Sequence, residues 1–264
     1  MFSLDGRDNL CGYQSSTFPI ALYGCLDTFS RKVLFLFVHQ SNSNPLIIGR
    51  RYFDFLYETK KLPKFIRIDK GNETGKMTTM QVALTDWLSV MDNPVDSVIF
   101  GPSTTNKIER WWRDLNERMN PFFKSQLLML LNGGEYNPHN GYDRQLMANV
   151  YIPIVQRECD QYVKYWNTHR IRLQDNLKIP TGVPDHMFEF PEEYNAEDCS
   201  TEIEPSLLRR LADESDVLDV SLDLMLDSDL EAICRDNVPN PEELESRHAI
   251  EAYRHLKSIC KNVR

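Results

Sequence analysis

The chain has 264 residues, 41% hydrophobic and 11% aromatic, with net charge −9; that is enough apolar material for one large or two modest globular domains. No apolar run approaches the roughly 18 residues a membrane-spanning helix needs, and the N-terminus shows no basic-then-apolar signal pattern, so composition excludes a membrane protein and points to an intracellular one. Six cysteines stand apart with no CxxC pair, a spread that fits reduced thiols rather than a disulfide framework or a zinc site.

The acidity is unevenly placed. Residues 1–190 hold 22 Lys and Arg against 20 Asp and Glu, a balance of +2, whereas residues 191–264 hold 8 against 19, a balance of −11. The first segment is therefore compatible with a phosphate backbone, and the second is an acidic extension.

Residues Phe2–Asp5 read as a strand end. After a polar stretch to Phe18, the apolar run Pro19–Asp27 predicts a second strand. Asp27-Thr-Phe-Ser-Arg31 reads as a tight turn, since Asp and Ser bond nearby backbone there. Lys32–His39 is almost continuously apolar and predicts a buried strand, completing a hairpin.

Pro45 opens a predicted helix to Lys61, with Ile47, Ile48, Tyr52, Phe55 and Leu56 on its apolar face. Lys64–Asp69 is a third clear strand, closed by Gly71. A helix over 78–91, a short strand at Ser97–Phe100 and a long helix over 104–131 follow, the last with a bend expected at Pro121. Beyond a Gly/Asn/Pro-rich loop, a helix is predicted over 144–168 with Pro153 as its bend.

Strands interleaved with helices in this order predict an α/β fold, a mixed sheet flanked by helices. A boundary is expected near Pro184–Pro191, dividing a core at 1–190 from an extension at 191–264. Within the extension the amphipathic pieces Leu207–Leu211 and Val217–Leu230 read as disordered or marginally helical. A terminal helix over 241–259 carries the apolar stripe Leu244, Ile250, Tyr253, Leu256 and Ile259, which needs a surface to pack on.

Three acids sit where carboxylate chemistry is favoured: Asp5 in FSLDG, Asp69 in KFIRIDKGNE and Glu109 in TTNKIERWWRDL. Carboxylate oxygens are the ligands that hard divalent cations prefer. Brought together from two strands and a helix, such a trio would hold two metal ions for in-line phosphoryl displacement. Each acid also has a bland reading. Asp69 ending a strand before Gly71 is ordinary turn chemistry. Glu109 near a helix start is favoured by the dipole, with Arg113 as its i,i+4 partner. Asp27 is a rival first ligand, but DTFSR reads as a turn that fixes strand register. Lys70, Lys107, Arg110 and Arg113 are a solvated face or, beside a metal site, phosphate contacts. Trp111, Trp112 and Trp166 read as core, and His169 as structural.

Taken in order, LDG, IALYGCLDTFSRKVLFL, IRIDKGNE, NKIERWWRDL, then YVKYWNTHR and PTGVP closely resemble the core domain of retroviral-type integrases and DDE transposases, over Phe2 to Phe188. The resemblance implies an RNase H-like fold, DNA strand cleavage and joining with Mg²⁺ or Mn²⁺, and nuclear residence. It carries the catalytic and metal-binding triad over to Asp5, Asp69 and Glu109. DNA is the implied partner, with homo-oligomers and a protein partner for the acidic extension as further expectations. The interval from Asp69 to Glu109 is 40 positions, and Thr105 stands before Asn106 where the family often has a histidine. Two alternatives stay open: a catalytically silent nucleic-acid- or protein-binding module of the same fold, and an RNase H-like nuclease acting on RNA or hybrids.

Overall fold

The computed structural model describes residues 1–8, 13–101, 108–172, 180–224 and 226–262. Three strands begin it: β1 (Phe2–Arg7), β2 (Ala21–Asp27) and β3 (Val33–His39). They are followed by α1 (Pro45–Thr59), the two-residue β4 (Lys61–Leu62), β5 (Ile66–Ile68), α2 (Gly75–Trp87) and β6 (Val98–Phe100). The main sheet has the order β3-β2-β1-β5-β6, with the hairpin strands antiparallel and β1, β5 and β6 parallel. That mixed sheet, flanked by helices on both faces, is the RNase H-like arrangement.

The hairpin turn forms as its residues predict. Asp27 Oδ2 accepts from the Ser30 backbone N–H at 2.8 Å and from its hydroxyl at 2.7 Å, and Arg31 takes φ 64°. Asn44 caps α1 by accepting from Leu46 N–H at 2.9 Å, and Lys60 ends that helix in the left-handed region. The helix expected over 78–91 instead runs from Gly75 to Trp87, continuing a 3₁₀ turn at Asn72–Thr74 and stopping where Ser89 takes φ 50°.

Two long helices cover one face: α3 (Ile108–Asn132) and α4 (Gly141–Thr168). Residues 104–107, the expected start of α3, lie outside the described residues. Pro121 and Pro153 are carried inside their helices. Asn140 starts α4 earlier than expected, since its side chain accepts from the N–H groups of Tyr142 and Asp143.

The strands divide their side chains between two cores. Leu22, Leu26, Val33, Leu36 and Val38 pack with Trp111, Trp112 and α4 residues such as Tyr151 and Val155. Leu4, Tyr23, Cys25, Ile66 and Ile68 pack with α1 and α2. Strand β3 is at the sheet edge, where unpaired backbone groups are a liability. Two amides of α4 cover them: Asn167 bonds both N–H and C=O of Val33, and Gln156 accepts from Val38 N–H and donates to Leu36 C=O.

The acidic extension folds onto both faces. Pro184–Glu189, inside the expected boundary, forms the short α5. Strand β7 (Thr201–Glu202) pairs with β4, and α6 (Pro205–Ser215) buries Leu208, Leu211 and Ala212 in the α1/α2 core, joined there by Val217. On the opposite face, α7 (Ser228–Asn237) and α8 (Ala249–Asn262) bury Leu230, Cys234, Ile250, Tyr253 and Leu256. The apolar spacing of these pieces thus finds surfaces that a local reading of the extension does not reveal. The terminal helix begins only at Ala249, because Pro241–Glu243 and Ser246–His248 are 3₁₀ turns.

Arg157 of α4 fastens the connection between α7 and α8, donating to Glu242 C=O at 2.7 Å, to Leu244 C=O and to Ser246 Oγ at 3.0 Å. Arg157→Ala is expected to destabilise the fold by about 1–2 kcal/mol and to speed amide exchange over 241–248. Urea unfolding and hydrogen exchange measure both, and unchanged protection of that segment would refute the role.

Candidate active site

Strand alternation decides which side chains reach α3. Leu4 goes into the α1/α2 core, so Asp5 turns to the other face, where Trp112 Nε1 donates to its Oδ2 at 3.0 Å. In β5, Ile66 and Ile68 go into the α1/α2 core, turning Arg67 and, next after the strand, Asp69 the other way. The parallel register pairs Phe2 with Ile66 and Ser3 with Arg67. Two residues further on it sets Asp5 beside Asp69, at the C-terminal ends of both strands.

Trp112 fixes the helix against this pair. Its ring is 1% exposed and lies over Gly24, the β2 partner of Asp5. A Cβ on Gly24 would stand 3.3 Å from Trp112 Cη2, so the missing side chain lets the indole reach across the sheet. Glu109 is three residues earlier, in the first turn of α3 and on the same helix side. Its Oε2 lies 3.8 Å from Arg7 Nη1. Arg7 follows Asp5 by two and so projects from the same face of β1. Among the described residues the ion pair of Glu109 is thus made with Arg7, in place of the i,i+4 pairing with Arg113.

The electrostatics record how close the acids are. Burial, then the charge of Glu109, then that of Asp69 push the Asp5 carboxyl up to about 7, against a smaller opposing effect of the Trp112 hydrogen bond. Burial also raises Asp69, with Arg67 pulling the other way. Asp69 Oδ1 is buried with no hydrogen-bond partner among the described residues.

A cavity of about 420 Å³ opens at these strand ends, lined by Asp5, Asp8, Asp69 and Glu73 together with Asn42 and three serines. The Glu73 carboxylate folds back over Gly71, where a Cβ would meet Oε1 at 2.0 Å, so a side chain there would have to displace the carboxylate. Tyr23 lies beneath, 1% exposed, its hydroxyl unpartnered among the described residues. Burial first, then Asp5 and more weakly Glu73 and Asp69 among its neighbours, hold that hydroxyl well above the ordinary tyrosine value.

The donor chemistry fits a hard divalent cation: oxygen ligands, one of them buried and unsatisfied, and a carboxyl destabilised by its like-charged neighbours. The ligand set is not assembled, however. Among the described residues no three His, Cys, Asp or Glu side chains stand together as a metal-binding group. Glu109 leans on Arg7 and one oxygen of Asp5 is taken by Trp112.

The other sequence candidates fall as follows. Lys70, Arg110 and Arg113 are exposed, while Lys107 and Asn106 lie outside the described residues. Asp27 serves the hairpin turn. His169 Nδ1 bonds Trp166 C=O at 2.7 Å and its ring stacks on Tyr165, a structural role. Arg7, Arg67, Glu73 and Tyr23 were missed. The period of two along β1 and β5, counted outward from the two aspartates, would have flagged both arginines.

The raised Asp5 carboxyl gives a pH signature in the cation-free protein. An unfolded aspartate ionises near pH 4, whereas Asp5 keeps its proton in the folded chain to about 7. Between those values the folded state binds the extra proton, so this contribution to stability is lost as pH rises. Asp5→Asn, always neutral, should exceed the parent in stability by on the order of 2 kcal/mol at about pH 8 and match it at about pH 4. Urea midpoints at both pH values test this, and an equal difference at both would refute it.

No helix among the described residues is long and apolar enough to cross a membrane. Compared with known proteins, residues 3–190 match a family model described as integrase core domain. No curated protein and no solved structure matches significantly.

Proposed function

The chain belongs to the integrase core domain family, and from that premise we propose that it cleaves and joins DNA strands using Asp5, Asp69 and Glu109. The observation that carries this reading is that β1 and β5 bring two aspartates side by side while Trp112 ties one of them to the helix bearing the glutamate. Mg²⁺ or Mn²⁺ held through these three acids would supply activation of the attacking water or 3′-hydroxyl and charge stabilisation at the leaving oxygen. The unsatisfied Oδ1 of Asp69 offers one such donor atom. Lys70, Lys107, Arg110 and Arg113 steady the strand through its phosphates without reading sequence. Nuclear residence follows from a DNA substrate.

A second reading is favoured by one contact. Arg7 stands 3.8 Å from the Glu109 carboxylate, a cation where a catalytic site needs a metal, as in a protein that keeps the fold and binds nucleic acid without cutting it. Short labelled DNA incubated with Mg²⁺ or Mn²⁺ separates the two. The catalytic reading expects cation-dependent cleavage and strand-transfer products from the parent and none from Glu109→Gln or Asp69→Asn. Equal product from all three ends it, and DNA binding without product supports the silent module.

A further inference from the structure

Arg7 is held at the acidic site but not satisfied by it. Among the described residues its Nη1 makes one long ionic contact, 3.8 Å, to Glu109 Oε2, and both side chains are about one third exposed, at 32% and 34%. Its Nε is buried without a hydrogen-bond partner among the described residues. A guanidinium carries five donors in a planar fork that matches phosphate oxygens two at a time. A partly exposed ion pair at this distance is weak, so a phosphodiester can displace it.

The geometry points to Arg7 as a positioning residue that keeps the Glu109 carboxylate engaged beside Asp5 and Asp69 until a nucleic-acid phosphate takes the guanidinium. The inference rests on the proposed function and adds a condition to it: the third acid becomes available only when the polynucleotide is in place. Among the described residues no three acidic, His or Cys side chains are gathered as a metal-binding group, which agrees with a counter-ion standing on Glu109. No covalent bond changes; one ion pair is exchanged for another, and the freed carboxylate turns to the cation. Because coupling between two ligands is reciprocal, nucleic acid tightens the cation and the cation tightens nucleic acid.

The test counts bound Mn²⁺ by loss of the free-ion paramagnetic resonance signal, with the full chain alone and with a short DNA duplex, so that the readout does not depend on turnover. DNA should tighten Mn²⁺ roughly fivefold in the parent, the lower end of ordinary coupling. Arg7→Gln should bind Mn²⁺ roughly fivefold more tightly without DNA and gain little from adding it. Arg7→Lys keeps the charge without the fork, and should resemble the parent without DNA yet lose the DNA-induced gain. Equal affinities for parent and Arg7→Gln in both states overturn the role of Arg7. In that case weaker binding by Asp69→Asn leaves the catalytic reading standing. Absence of Mn²⁺ binding in every protein overturns both.

Discussion

Trp112→Ala should cost about 3–5 kcal/mol of stability, the range for deleting a large buried aromatic. The indole is 1% exposed, packs beside Trp111 at 4.6 Å between ring centres, and fills the space over Gly24. Trp112→Phe separates the two contributions. It keeps most of the apolar burial but removes the donor to Asp5, a loss of about 1 kcal/mol. That donor opposes the rise of the Asp5 carboxyl, so the phenylalanine variant should also hold its Asp5 proton to higher pH. Urea unfolding of both variants, with carboxyl titration by NMR, reads these effects. An alanine variant within about 1 kcal/mol of the parent would mean that Trp112 does not anchor α3.

The second large effect is on chemistry and leaves the fold alone. Asp69→Asn should reduce cleavage product at least about 100-fold, since loss of a mere outer-shell partner of a metal ligand already costs 10- to 100-fold. Stability should barely change. Asp69 Oδ1 has no partner to lose among the described residues, and burial already disfavours its charge. The paired readout matters, because a fall in both activity and melting temperature would be explained by damage to the β5 end alone. Product from Asp69→Asn above a tenth of the parent's would remove Asp69 from the chemistry.

Much of the frame was legible in the chain. Continuously apolar β2 and β3, the Asp27 turn and an acid closing β5 are local signals, and local physics places them. Helix starts were read less well. At α4 the start is set by the cap at Asn140; at α2 it is a 3₁₀ turn running on into the helix at Gly75. The partner of Glu109 was misread for a different reason. Spacing within a helix suggested Arg113, while the nearer cation comes from a strand distant in sequence. Glu73 escaped notice because its place on the cavity wall comes from the 3₁₀ turn at Asn72–Thr74, which no local signal in the chain marks. The acidic extension was hardest. Short amphipathic helices derive their stability from the surfaces they cover, and α6, α7 and α8 cover surfaces made by residues far earlier in the chain.

The two carboxamides that α4 lends to β3 bear on how far the chain can be shortened. A version ending ahead of Gln156 would bare the N–H and C=O of Val33, the C=O of Leu36 and the N–H of Val38 along the outer rim of the hairpin. Such a rim recruits whatever extended segment comes near. Trimming the chain ahead of Gln156 would therefore favour self-adhering sheets, and α4 guards that rim as much as it fills the core.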